Sequence, residues 1–149
     1  MSKIVRTAAN LLFPFVLIFG FYVIVHGHLT PGGGFQGGAV MATGLAMIIA
    51  AHPFGRVKNA FRKDLLKVVE ATGLTLFLAV AVSGFISGGP FFYNWIAQAG
   101  GLFGGVPTAV GNLNTGGIIP LLNVFVGLEV LGALTIMILY MLAGAKENS

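Results

Sequence analysis

The sequence predicts an all-α integral membrane protein with four transmembrane helices and both termini in the cytoplasm. Of its 149 residues, 56% are hydrophobic and only 8% are charged, whereas a soluble domain carries about 25% charged residues. The apolar runs are long and do not alternate with polar residues, which excludes a strand interpretation. The basic residues are confined to connections that four spans would place on one side.

Each membrane-spanning helix needs about 20 mostly apolar residues. We therefore predict one membrane domain over residues 1–149, with approximate spans at 8–25, 34–51, 68–86 and 117–142. The first span resembles a signal peptide, but no small-residue cleavage site follows it, so we predict a permanent helix. The last span is the longest and is expected to tilt or to emerge from the membrane.

The positive charges support the four-span topology. With four spans, all eight basic residues lie on one side; they are Lys3, Arg6, Arg56, Lys58, Arg62, Lys63, Lys67 and Lys146. The positive-inside rule then places both termini and the basic loop in the cytoplasm, in a multi-pass protein of the cell membrane. The same charges attract anionic lipid head groups. No base-reading module accompanies them, so nucleic acid is not an expected partner.

The stretch "HLTPGGGFQGG", from His28 to Gly38, predicts a glycine-rich break before the second helix. A phosphate-binding loop needs a Lys and a Ser or Thr after its glycines and a strand before them, so we expect no nucleotide binding. Instead, Thr30 is expected to cap the second helix, with Pro31 at its first position. The triple glycine permits a sharp turn and close contact with a neighbouring backbone.

Small residues recur every four positions along the second span. Residues three or four apart share one helix face, and small residues allow a second helix to approach closely. Two interpretations remain open: this face packs within the chain, or it docks onto another subunit. The row consists of Gly34, Gly38, Ala42, Ala46 and Ala50.

The connection between the third and fourth spans is long and carries no charge. We expect "PFFYNW" to lie at the membrane interface, where Tyr and Trp are favoured. The following segment, "AGGLFGGVPTAVGNLNTGG", is predicted to form an outer lid on the membrane or on a partner, with a flexible linker as the alternative.

Three polar residues within the spans are the candidates for an ion path. A charge at the bilayer centre costs about 2.5 kcal/mol or more on insertion scales, so such residues face partners or water. Glu129 lies near the middle of the fourth span, with Gly132 leaving room beside it. Glu70 lies near the cytoplasmic start of the third span. Its alternative to a role in the ion path is a salt bridge to Lys67 or Lys63. Asn123 offers an interhelical hydrogen bond or an oxygen to Na⁺.

No catalytic or metal centre is predicted. The absence of cysteine excludes thiolate metal sites and thiol catalysis. His26 and His28 lack carboxylate companions for a metal. Glu129, Glu70 and the histidines lie at different depths, so they form no convergent catalytic set. We therefore expect no enzyme activity and no cofactor in this chain, with Na⁺ or H⁺ as the transported ion.

The stretch "GHLTPGGGFQGG" resembles the signature of the B-type subunit of Mrp-type multisubunit Na⁺/H⁺ antiporters and of the equivalent subunit in membrane-bound hydrogenase and sulfane reductase complexes. The resemblance implies a four-helix accessory subunit in a cation-translocating assembly, with other membrane subunits as partners. Antiporter members often carry an acidic residue near the start of the last helix, where this chain has Asn123. The matching residues are His28, Pro31, Gly32, Gly33, Gly34, Phe35, Gly37 and Gly38.

The alternative function is a small stand-alone channel or carrier that assembles as a homo-oligomer. Against it, the chain lacks the duplicated halves with broken helices that mark many carriers. Purification in mild detergent separates the two hypotheses, because a complex brings its other subunits with it.

Overall fold

The computed structural model describes residues 2–53, 55–57, 61–100, 103–104 and 112–147, and these residues form helices and loops without a strand. Four helices are long and apolar enough to cross a membrane, which confirms the predicted all-α fold with four spans. The helices are α1 (Lys3–His26), α2 (Gly34–Ala51), α3 (Lys63–Ile86), the short α4 (Trp95–Gln98) and α5 (Ile119–Glu147).

The helices extend beyond the predicted apolar spans at their charged ends. α2 covers residues 34–51, the predicted span, whereas α1 begins at residue 3 instead of 8 and α3 at residue 63 instead of 68. A helix can continue into the polar head-group region, where basic side chains are well solvated. α5 has 29 residues, or about 43 Å at 1.5 Å per residue. It therefore exceeds the roughly 30 Å hydrocarbon core.

α5 is the central helix of the bundle. It packs against α2 on one side and α3 on another, while α1 packs mainly against α2. The α1–α2 contact is antiparallel: Gly44 near the end of α2 faces Val16, and Gly37 near its start faces Ile24. This order leaves large parts of α1 and α3 without a neighbour among the described residues.

One end of the bundle, here termed the basic end, holds the starts of α1 and α3 and the ends of α2 and α5. A cluster of Ile49, Val57 and Leu139 closes it, each at most 3% exposed. Val57 belongs to the basic connection, so that connection is anchored by an apolar side chain while Arg56 beside it is exposed. The opposite end carries the α1–α2 turn and the connection from α3 to α5.

The α1–α2 turn differs from the predicted capping. Thr30 does not cap α2, because its hydroxyl donates to the carbonyl of His26 at 3.2 Å. The N-cap is Gly33, and its N–H donates to Oε1 of Gln36 at 2.9 Å. Pro31 therefore lies before the helix, and Gly32 reverses the chain with a φ of +106°. The predicted threonine cap is wrong because the helix starts three residues later than its motif suggests.

The first part of the connection from α3 to α5 folds back onto α3. The Phe92 N–H donates to the Ala81 carbonyl at 3.1 Å, and Trp95 Nε1 donates to Ser83 Oγ at 3.0 Å. Asn94 ties this segment to the start of α5 by donating to the Gly116 carbonyl and accepting from the Ile118 N–H. The central part of the predicted lid, residues 101–102 and 105–111, lies outside the described residues.

Candidate functional site

The two sides of α5 form the candidate site, and the first is its seam with α2. Gly34 lies so close to α5 that its N–H donates to Oδ1 of Asn123 at 3.4 Å. One turn further, a Cβ on Gly38 would lie 2.7 Å from the Gly127 carbonyl oxygen and 3.0 Å from Cβ of Val130. The two backbones are therefore in direct contact, as small residues allow in membrane helices.

The glycines of the signature stretch contact different neighbours. Gly34 and Gly38 face α5, whereas a Cβ on Gly37 would lie 2.6 Å from the Gly20 carbonyl oxygen of α1. α2 therefore has a close-packing face on each side, which the four-residue row alone does not reveal. Pro31 and Phe35 are exposed and make none of these contacts.

The predicted row of small residues is divided between the inside and the outside of the chain. Gly34, Gly38 and Ala42 are buried, with Ala42 only 1% exposed. Ala46 is partly buried and Ala50 is exposed. Intrachain packing thus accounts for the first half of the row. Ala50, the last residue of the row, lines an apolar groove between α1 and α2.

The second side of α5 brings the two predicted intramembrane acids to one helix crossing. A Cβ on Gly73 of α3 would lie 2.8 Å from the backbone nitrogen of Glu129 and 3.0 Å from its Cβ. Reciprocally, a Cβ on Gly132 of α5 would lie 3.0 Å from Cβ of Glu70. Each glutamate therefore sits over a glycine of the other helix, and both glutamates are partly buried. The space beside Gly132 is filled by Glu70.

Glu129 borders a groove of about 220 Å³ that is otherwise apolar; the lining also includes Gly73, Leu74, Phe77, Phe125 and Val126. At the basic end of the same seam, Lys63 Nζ lies 4.1 Å from the centre of the Tyr140 ring. This cation–π contact engages one of the two lysines that the sequence offers as partners of Glu70. Among the described residues, no group of three or more potential metal ligands occurs.

Sequence reasoning did not identify Gly73 or the reciprocal arrangement of the crossing. The signal was present, because Glu-x-x-Gly occurs in α3 as "EATG" and in α5 as "EVLG". Residues three apart share a helix face, so each helix offers an acid and an adjacent gap. Two such faces in antiparallel contact place each acid over the other helix's gap. The third candidate, Asn123, lies at the α2 seam instead.

The sequence match covers most of this fold. The family model described as "Domain related to MnhB subunit of Na+/H+ antiporter" matches residues 4–136. The chain belongs to this MnhB family. The matched region includes the glycine-rich turn, both seams of α5 and the two glutamates of the α3–α5 crossing. The resemblance in the signature stretch is thereby confirmed at the level of the family.

Relatives of this MnhB family chain occur in archaea and bacteria. It is 38% identical over 117 residues to the uncharacterized protein MJ1307 of Methanocaldococcus jannaschii, covering 78% of this chain and 43% of the relative. It is 33% identical over 88 residues to the B-type subunit of the Na⁺/H⁺ antiporter of Bacillus subtilis, covering 59% of this chain and 61% of the relative. The chain thus spans less than two thirds of either relative.

A solved structure shares the fold. It is a chain of the membrane-bound sulfane sulfur reductase, described as an archaeal respiratory membrane complex, with a TM-score of 0.77 and 34% sequence identity. The match covers 95% of this chain and 58% of that chain. Together with four candidate membrane spans, these relatives establish a multi-pass membrane protein.

Proposed function

We propose that this chain is an accessory membrane subunit of a multisubunit complex that translocates Na⁺ or H⁺. The observation that carries the proposal is the match over 95% of the chain to a protein of a respiratory membrane complex. The family model named for an antiporter subunit also covers most of the chain, residues 4–136. The proposed assembly is therefore either a respiratory complex of the hydrogenase or sulfane reductase type or a free-standing antiporter.

The proposed role involves no catalysis and no cofactor in this chain. The family model that matches residues 4–136 is named for an antiporter subunit, which supports a role other than catalysis. The partners are other membrane subunits and lipid, consistent with the exposed apolar side chains on α1 such as Phe15, Ile18 and Phe19. We place the protein in the cytoplasmic membrane with the basic end inside, because the positive-inside rule applies to that end.

Within this function, we assign the α3–α5 crossing to the ion path. Two carboxyl groups at one crossing are expensive in a membrane unless they meet water, a cation or a partner. The groove beside Glu129 provides room for water or for a side chain of another subunit. Glu70 lies on the same crossing, closer to the basic end, and offers a second carboxylate for a proton or a cation.

The assembly is tested by purifying the tagged chain from its native membrane in mild detergent and identifying the co-purifying proteins. We expect membrane subunits of one complex in fixed proportion, and vesicles containing that complex should build an ion gradient. A lone homo-oligomer that conducts ions would instead establish the stand-alone channel and refute the proposal.

The ion-path assignment is tested with Glu129→Gln and Glu129→Leu in complexes purified to equal amounts. Gln retains size and hydrogen bonding but cannot titrate, so we expect normal assembly with loss of Na⁺-dependent or pH-dependent transport. If Glu129 only holds a neighbour by a hydrogen bond, Gln should be almost silent. Leu should then weaken assembly by stranding a buried polar group.

A further inference from the structure

The end of the bundle opposite the basic end contains buried polar atoms without partners. Both ring nitrogens of His28 and Nδ2 of Asn123 are buried and form no hydrogen bond in the part of the chain that the structure describes. Buried polar groups in folded proteins almost always have a partner, which is either protein or ordered water. These three atoms therefore require an occupant that the described part of the chain does not supply.

The His28 ring and the Asn123 amide both lie at the start of α5, beside the α1–α2 turn. A Cβ on Gly116 would lie 3.2 Å from Cδ2 of His28 and 3.3 Å from Cδ of Pro120, so the imidazole packs beside the first turn of α5. Asn123 follows Pro120 by three residues and shares its helix face. Its Nδ2 would lie 2.8 Å from a Cβ on Gly27, the residue before His28. The α1–α2 turn thus brings the ring and the amide to the same part of α5.

The chemistry of these atoms identifies the occupant. A neutral imidazole presents one donor and one acceptor, and Asn Nδ2 presents only donors. Oδ1 of Asn123 already accepts from the Gly34 N–H, which leaves a cation few oxygen ligands. Water both donates and accepts, and internal waters typically make about three hydrogen bonds to polar groups that otherwise lack partners.

We propose that His28 and Asn123 form an internal hydrated site in which bound water exchanges protons with the His28 ring. Histidine is the side chain suited to taking up and releasing protons near neutral pH. The role in transport rests on the proposed function. In that function, this site takes up and releases protons at the end of the bundle opposite the basic end. The hydration of the site does not depend on that function.

No charged side chain competes for this proton in the described residues around the ring. The turn between α1 and α2, residues 112–118 and the first turn of α5 contain no Lys, Arg, Asp or Glu. The titratable group nearest to His28 along the chain is His26, the last residue of α1. Its Nδ1 lies 3.1 Å from the Tyr22 carbonyl and its ring stacks on Tyr22. His26 is therefore already engaged and serves as an internal control.

The test measures deuterium exchange at the imidazole C2 position in the intact purified complex across a pH series. Tandem mass spectrometry that fragments the peptide between His26 and His28 assigns the exchange to each ring. This exchange requires water at the ring and depends on ring protonation. We expect the His28 ring to exchange at a measurable rate, with His26 and His52 measured in the same sample as references. A His28 ring that stays unexchanged at every pH, while the references exchange, overturns the proposal.

The variant Asn123→Leu removes the amide that shares the water, so we expect the His28 exchange rate to fall relative to His26. An unchanged rate would remove Asn123 from the site and contradict the proposal. Since neither measurement uses ion transport, a dry His28 leaves the proposed function intact. Purification without other subunits would refute that function without affecting the exchange result.

Discussion

Adding one methyl group at Gly38 should loosen the α2–α5 seam. The change Gly38→Ala places a Cβ 2.7 Å from the Gly127 carbonyl oxygen, 3.0 Å from Cβ of Val130 and 3.2 Å from Cα of Gly127. Two of these three atoms belong to the backbone, so no flexible side chain can move aside. Relief requires the two helices to separate along a contact that also includes the Gly34–Asn123 hydrogen bond.

The size of the effect follows from overpacking. Forcing an extra carbon into a well-packed contact costs about 1–3 kcal/mol, which corresponds to a roughly 5- to 150-fold shift in an equilibrium. An alanine gains up to about 1 kcal/mol over glycine from helix propensity, which offsets part of the loss. We therefore expect a net destabilisation of the seam by up to about 2 kcal/mol, and a larger one for Gly38→Leu.

The assay heats the detergent-purified complex to a series of temperatures. Size-exclusion chromatography then measures how much intact complex remains at each temperature. The matched control is Gly144→Ala in α5, which is also helical. Apart from the backbone of its own helix, no atom of the described residues lies within 4 Å of the added Cβ. The control should be neutral or slightly stabilising. The close-contact interpretation of the seam is wrong in either of two cases. In the first, Gly38→Ala has the same melting temperature as the wild type. In the second, Gly38→Ala and Gly144→Ala lower the melting temperature equally.

Two further predictions concern the membrane topology and the α3–α5 crossing. In this cysteine-free chain, Arg56→Cys should be labelled by an impermeant thiol reagent only after the cytoplasmic face is opened, and Ser87→Cys from outside; the reverse pattern would invert our topology. Gly132→Ala should weaken assembly more than Gly144→Ala in the same melting assay, because its Cβ meets the backbone of Glu70 at 3.0 Å. Full stability of Gly132→Ala would contradict a tight α3–α5 crossing.

The membrane-spanning helices were predictable because each depends on a long apolar run within one stretch of sequence. A hydrocarbon layer demands runs of about 20 apolar residues, and such runs are read directly from composition. α2 coincides with its predicted span, whereas α1 and α3 continue past theirs. The bilayer rule finds the apolar part of a helix, but hydrogen bonding and capping decide where the helix ends. Thus Gly33 caps α2 and Thr30 does not.

The neighbours of each helix were not predictable in the same way. A row of small residues shows that a helix can be approached closely, but it does not identify the approaching helix. Gly37, outside the four-residue row, makes the α1 contact, whereas Gly38 within it makes the α5 contact. The reciprocal crossing of Glu70 and Glu129 depends on the register between α3 and α5. That register is a long-range property, which a single sequence without aligned relatives does not reveal.

In the proposed ion path, the placement of polar residues on α5 leaves this chain with only part of the path. Asn123 faces α2 and Glu129 faces α3. Six residues of α-helix advance about 9 Å along the axis and leave the two side chains roughly 120° apart around it. An ion leaving the crossing at Glu129 therefore does not meet Asn123 on the same face of the helix. The groove beside Glu129 is otherwise apolar, so polar groups from neighbouring subunits are needed to continue the path, as an accessory subunit within a larger complex requires.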